Sequence, residues 1–305
     1  MIIFQKMVYH KPALLEESIT GLNIRPEGVY VDVTFGGGGH SLAILRQLGK
    51  KGRLFSFDQD IDARVNVPDD PRFTFIHANF RFLRNFLRFY SIEKVHGILA
   101  DLGISSHHID SMERGFTYLE DSNLDMRMNV FSSNAAADIL NHYQAEELVR
   151  VLREYGEIQN AAYLARLIIK LRQNRKIKTS YDLISGIQAF LPEKNRFKIL
   201  SRIYQALRIE VNDELGALKD FLLQVPEILF KEGRIAVISY HSLEDRLVKN
   251  FFRSGNFTGH VEKDFYGNPV VPFRLINKTP VIPGTSEVSD NIRVRSARLR
   301  IAEKI

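Results

Sequence analysis

Four short apolar runs of β type punctuate the first hundred residues, at Val29 to Val33, Arg53 to Phe57, Phe73 to Ile76 and Gly97 to Ala100. Each is nearly continuous rather than alternating, as in parallel strands covered on both faces. Between the first two, Ser41 to Leu48 has helical texture and stops at Gly49, giving strand, glycine turn, helix, strand. This is the βαβ opening of an α/β sheet. After Asp101 a polar loop, GISSHHIDSMERGF, leads into a long stretch where helical periodicity dominates. Ile158, Ala161, Ala162, Ala165, Ile168 and Ile169 fall on one face, with Arg166, Lys170 and Arg172 off it. Gly156 closes the helix before, and Thr179 with Asp182 forms a capping box for the next. β texture returns at Arg234 to Ser239, and Arg293 to Ile301 reads as a final strand. Residues 1–110 and 201–305 are therefore expected to form one discontinuous sheet domain, interrupted by a helical insertion at 111–200. The segment Gly267 to Gly284, rich in Pro and Gly, reads as a surface loop.

The chain has 305 residues, enough to bury a core without disulfides or structural metals. It has no cysteine, which excludes disulfides, thiol nucleophiles and cysteine-ligated zinc and suits a reducing cytoplasm. No apolar run approaches the roughly 18 residues of a membrane span. The N-terminal MIIFQKMVYHK lacks the layout of a secretory signal, so a soluble, cytoplasmic protein with no membrane partner is expected. The formal charge is +6, and it is segregated: residues 110–149 carry −6 and residues 150–208 carry +9. A basic face of this kind can follow a phosphate backbone, against the plainer reading of solvated helix faces.

The stretch VDVTFGGGGHS places four glycines between a strand and a helix, where open α/β sheets bind ligands and where a bare backbone lets one approach. The pattern GxGxxG is not cleanly present. Asp32 lies on the first strand, and the second ends in FDQD, placing Asp58 where an acidic side chain accepts ribose hydroxyls. A carboxylate beside the glycine turn repels a diphosphate and suits S-adenosylmethionine, which carries an amino group and a sulfonium. The same cluster also suits a nicotinamide-dependent oxidoreductase, and a non-catalytic RNA-binding assembly factor would keep the fold. Phe80, in HANF after the third strand, is a candidate to pack on adenine, and Asp101 ends the fourth strand, where the donor's reactive end should lie. Their plainer readings are a core phenylalanine and a loop-capping aspartate.

The runs DVTFGGGGHS, DLGISS, GFTYLEDSNLDMRMN, QALRIEVNDEL, SYHSLEDRLVKNFF and RVRSARLR, in this order over nearly the whole chain, resemble those of the RsmH (MraW) family, ribosomal RNA small subunit methyltransferase H. The resemblance implies a class I S-adenosylmethionine-dependent methyltransferase, a Rossmann-like doubly wound sheet with an inserted all-helical domain. It further implies methylation of N4 of a cytidine in the decoding centre of 16S rRNA, as naked RNA or within an assembled small subunit, with the insertion recognising rRNA. Carried over by motif, cofactor contacts fall on Gly38, Gly39, His40, Asp58, Phe80, Asp101 and His108. At His108 the family's usual glutamine is replaced by an imidazole, which can still donate one hydrogen bond and accept another.

An exocyclic amine needs an acceptor for its proton, and Asp101 is the candidate base. No metal is required. Glu120, Asp121 and Asp125 lack a calcium-loop spacing, and Asp125 with Arg127 suits an ion pair that fixes the insertion against the cofactor site. Ser105 or Ser106 is a second hydrogen-bonding candidate beside the target. Ser242 with Asp245 fits a capping box opening a helix after the fifth strand, with His241 and Ser242 candidates to line the cytosine pocket. Arg202, Arg208, Arg293, Arg295 and Arg298 are candidates for phosphate contacts.

Overall fold

The computed structural model describes residues 12–305; the stretch MIIFQKMVYHK, on which the reading of no secretory signal rests, lies outside them. Two compact units form: one runs to Gly103 and resumes at Gly216–Ile305, and the other is Ile104–Leu215. Among the described residues no helix is long and apolar enough to cross a membrane.

In the first unit the chain forms α1 (Leu15–Leu22), β1 (Val29–Asp32), α2 (Gly39–Gln47), β2 (Arg53–Asp58), β3 (Phe73–His77), α3 (Leu83–Phe89) and β4 (Val95–Asp101). The second contains α4 (Ser106–Asp110), α5 (Ala136–His142), α6 (Ala145–Glu154), α7 (Ala161–Asn174), α8 (Ser180–Ile187) and α9 (Arg196–Asn212). The first unit resumes within α10 (Glu214–Ile228) and continues through β5 (Leu229–Ser239), α11 (Ser242–Ser254), β6 (Phe273–Leu275), α12 (Thr285–Asp290) and β7 (Arg298–Lys304).

The sheet order is β3-β2-β1-β4-β5-β7-β6. Strands β1 to β5 pair in parallel, and β7 runs antiparallel between β5 and β6. This is the expected class I, Rossmann-like doubly wound fold. Alternate residues of each strand enter different cores. Val31, Phe55, Ile98 and Val237 pack with Leu87, Phe221 and Phe251 from the helices on one face. Tyr30, Leu54, Leu99 and Ala236 pack with Ile19 and Ile44 on the other. Burial on both faces is why these strands read as continuous apolar runs. The order reverses between β1 and β4, so the carboxyl ends of these strands, Asp32 and Asp101, flank the switch-point crevice.

The helical unit is longer than the expected 111–200. Helix α9 contributes Leu200, Ile203, Tyr204 and Leu207 to a core shared with Leu148 and Val151 of α6, so it belongs with the insertion and not with the sheet. On α7 the buried stripe is Ala161, Leu164, Ala165 and Ile168, at i, i+3, i+4 and i+7, whereas Ala162, expected on it, is exposed. The capping box at α8 is present: Thr179 Oγ1 accepts the Asp182 N–H at 3.2 Å and Asp182 Oδ2 accepts the Thr179 N–H at 3.2 Å. The final strand starts later than expected. Ile292–Ser296 is a 3₁₀ turn, started by the Asn291 carboxamide accepting the Arg293 N–H at 3.1 Å. Within the segment expected as loop, β6 is only three residues long and pairs with β7 alone.

Candidate functional site

The turn from β1 into α2 is closed by the Gly38 N–H donating to the Phe35 carbonyl at 2.8 Å. Gly38 has φ +79°, and a Cβ there would lie 3.1 Å from the Phe35 ring, so a side chain is both strained and crowded. Gly39 is the first residue of α2. Asp58, at the end of β2, accepts the Gly36 N–H at 2.7 Å and the Asp60 N–H at 2.8 Å. It is half-buried, so the carboxylate expected to meet a ribose also holds the glycine turn in shape. Asp32 differs from expectation. It is wholly buried, with Oδ2 accepting the Ser41 hydroxyl at 2.6 Å and Oδ1 the Thr34 N–H at 3.1 Å. Burial pushes its carboxyl up to about 6. Asp32 therefore anchors the turn from beneath and reaches a ligand only through its field.

Asp101 stands beside this turn. Its N–H donates to Thr34 Oγ1 at 2.6 Å, and its Oδ1 accepts the Tyr240 hydroxyl at 2.8 Å. Oδ2 lies 3.6 Å from His40 Nδ1, and the carboxyl remains 21% exposed. His40 Nε2 faces the Ala13 carbonyl at 3.1 Å, which can only accept, so the imidazole proton sits on Nε2 and a lone pair on Nδ1 faces Asp101. Burial holds His40 down at about 4, and hence neutral. Burial pushes Asp101 up to about 7; the Tyr240 hydrogen bond opposes that shift, and the Asp32 and Glu244 charges add to it. A carboxyl that titrates near neutrality, open on one side, is suited to take a proton.

Phe80 follows β3 and packs edge-on against Phe221 at 5.5 Å, half-buried, which leaves part of the ring available. The helix after β5 is capped one residue earlier than expected. His241, not Ser242, is the cap: its Nδ1 accepts the Glu244 N–H at 3.4 Å, and Glu244 Oε2 accepts the N–H groups of Tyr240 and His241 at 2.9 and 3.4 Å. Asp245 instead pairs with Arg300 at 2.7 Å and with the half-exposed Arg298 at 3.3 Å. Ser242, Arg293 and Arg295 are exposed.

The remaining candidates belong to the second unit. Ser105 Oγ accepts the His108 N–H and His108 Nδ1 accepts the Ser105 N–H, each at 3.3 Å, so the two cap α4 reciprocally. His108 is buried against Phe116 at 4.8 Å. Asp125 and Arg127 form the expected ion pair, at 2.8 and 2.7 Å, with Arg127 also donating to the Ser132 carbonyl at 2.8 Å; the pair staples its own loop. Asp121 accepts the Tyr181 N–H at 2.9 Å. Arg202 donates to the Glu157 carbonyl at 3.2 Å, and Arg208 is 13% exposed and paired with Glu214 at 2.9 Å. Arg208 is thus held inside the fold rather than displayed to a phosphate, whereas Arg202 is half-buried. Tyr240, Thr34 and Ser41 were not anticipated; the only signal for Tyr240 was its place just past the end of β5.

A family model described as the MraW methylase family matches residues 7–305. The chain belongs to the MraW methylase family. It is 53% identical over 298 residues to the ribosomal RNA small subunit methyltransferase H of Parabacteroides distasonis, covering 97% of this chain and 98% of the relative. To the protein of the same name from Flavobacterium johnsoniae it is 55% identical over 299 residues, covering 98% and 99%. Among solved structures it is similar to an rRNA methylase from Streptococcus thermophilus, with 11% identity, coverage of 98% and 99%, and a TM-score of 0.44. For a methylase of this family, the crevice at the switch point fits a cationic donor. Its turn is bare at Gly38, and the half-buried Asp58 and the partly exposed Asp101 bring negative charge to its rim, where a diphosphate would be repelled.

Proposed function

We propose that this MraW methylase transfers a methyl group from S-adenosylmethionine to N4 of a cytidine in the decoding centre of 16S rRNA. The observation that carries the reading is Asp101: a carboxyl at the carboxyl end of β4, beside the glycine turn, raised to about 7 and with its side chain partly exposed. Family membership and relatives named for small-subunit rRNA methylation support the substrate class. The donor supplies a methyl group on a sulfonium. Gly38, Gly39, Asp58, Phe80 and Asp101 would hold it at the switch point. Asp101 accepts an N4–H of the cytosine, which localises the nitrogen lone pair toward the methyl carbon. The N–C bond forms as the C–S bond breaks, sulfur keeps the bonding pair, and the N4 proton leaves to Asp101. Such base catalysis is worth about 10²–10⁴-fold, and alignment of the reacting atoms supplies roughly 7–11 kcal/mol more.

The target base must leave its stack to reach the crevice. The basic helices of the second unit, with exposed Arg166 and Lys170 on α7, hold the flanking backbone in this reading, whether the RNA is free or in an assembled subunit. The test is mass spectrometry of small-subunit rRNA from cells lacking the protein. One cytidine should lose a base methyl, and an unchanged cytidine methylation pattern would refute the assignment.

A further inference from the structure

The two oxygens of the Asp101 carboxyl are not equivalent. Oδ1 receives the Tyr240 hydroxyl at 2.8 Å. Oδ2 faces the lone pair of His40 Nδ1 at 3.6 Å, from which no proton can come while Nε2–H is committed to the Ala13 carbonyl. The Asp101 backbone is pinned by Thr34, so orientation of the carboxyl about its last torsion falls to the phenol. Tyr240 is itself fixed. Its N–H donates to Glu244 Oε2 at 2.9 Å, and its ring lies against Gly103, where a Cβ would come within 3.2 Å of it. Gly103 has φ +102°, a backbone conformation that residues with a side chain rarely adopt and only under strain, so the chain turns tightly beneath the ring. Burial, with the nearby carboxylates of Asp101, Glu244 and Glu287 adding to it, raises the phenol well above its ordinary value, so it remains a donor at every working pH.

We propose that Tyr240 is a positioning residue for methyl transfer: it locks Asp101 through Oδ1 and leaves Oδ2 as the atom that takes the proton from the target amine. The proposal rests on the reading of Asp101 as the base and adds the residue that sets its geometry and basicity. A donor on Oδ1 favours the carboxylate, so its removal moves the titration of Asp101 upward. The groups facing Asp101 are His40 from α2, Asp32 and Thr34 from β1 and its turn, and Glu244 from α11; all remain when Tyr240 becomes phenylalanine. The ring and its packing against Gly103 remain as well.

The test is a carboxyl carbon NMR titration of the ligand-free protein, with the Asp101 signal assigned by its loss in Asp101→Asn. In wild type the signal should titrate near 7, and in Tyr240→Phe about one to two pH units higher, the range expected for losing a hydrogen bond to a charged group. The acid limb of kcat/KM should move by the same amount, with affinity for S-adenosylmethionine changed less than about threefold; a general loosening would lower turnover equally at all pH values. Coincident wild-type and Tyr240→Phe titrations overturn the role of Tyr240 alone. A wild-type limb near 7 that persists in Asp101→Asn with full turnover removes Asp101 as base, and the role of Tyr240 with it.

Discussion

Replacing Asp101 by asparagine is expected to stabilise the protein above neutral pH while removing its chemistry. The substitution keeps the contacts: an amide oxygen accepts the Tyr240 hydroxyl that now reaches Oδ1 at 2.8 Å, and an amide N–H points at the His40 Nδ1 lone pair, 3.6 Å from Oδ2. The charge is what changes. With a folded value of about 7 against an ordinary 3.8, the carboxyl keeps its proton in the folded chain where the unfolded chain has released it. The folded state then binds more protons across that window, so stability falls as pH rises from about 4 to about 7 and stays lowered above it. About three units at 1.36 kcal/mol each set a ceiling of roughly 4 kcal/mol. Because the carboxyl is 21% exposed, water screens part of this, and about half is the expected share. Thermal unfolding of both proteins at pH 4.5 and pH 8.5 measures it. The raised carboxyl of Asp32 gives the same slope to both and cancels. The asparagine variant should gain about 5 °C on wild type at pH 8.5 and much less at pH 4.5. A variant that melts below wild type at pH 8.5, or a gap independent of pH, would refute the burial of a titrating Asp101.

In the proposed mechanism Asp101 accepts the proton as its carboxylate, so kcat/KM should rise with pH through about 7 and level off above it, and a profile flat from pH 5.5 to 8.5 excludes that role. Gly38→Ala places a Cβ at positive φ against Phe35, costing roughly 1–3 kcal/mol, and calorimetry should show S-adenosylmethionine affinity reduced at least about tenfold. Asp245→Ala strands Arg300 beside it, a pair in which both side chains are 10% exposed, and should cost roughly 3–5 kcal/mol in denaturant unfolding. Arg208→Ala should lower the melting temperature without changing the salt dependence of RNA binding, because that arginine is spent on Glu214. Arg166→Ala, on the exposed face of α7, should do the reverse, reducing the salt slope by about 1.

The sheet was legible because Tyr30 and Val31, Leu54 and Phe55, and Ile98 and Leu99 supply both cores, leaving continuous apolar runs. The glycine turn, Asp58 and Asp101 were legible because strand ends and glycine positions are local features. What sequence could not give depends on partners far along the chain. HSLED holds two overlapping cap patterns, Ser-x-x-Asp and His-x-x-Glu. The second is the one formed, because Asp245 is drawn to Arg300 and Arg298 on β7. Arg202 and Arg208 look like phosphate ligands in composition, yet one meets a carbonyl and the other a carboxylate. Asp32 is placed by sequence only on the first strand; the Ser41 and Thr34 donors that close over it are visible only in the fold. Tyr240 carried no pattern of its own; only the parallel register of β4 with β5, Asp101 beside Ile238, brings its hydroxyl to Asp101.

The most direct measurement of the central claim is a crystal structure of the full chain with S-adenosylhomocysteine, the product of methyl transfer. The ligand should lie at the carboxyl ends of β1, β2 and β4, its ribose hydroxyls on Asp58 and its sulfur on the side of the crevice that Asp101 Oδ2 faces. Ligand density away from the Gly38 turn, with that crevice left to solvent, would contradict the account.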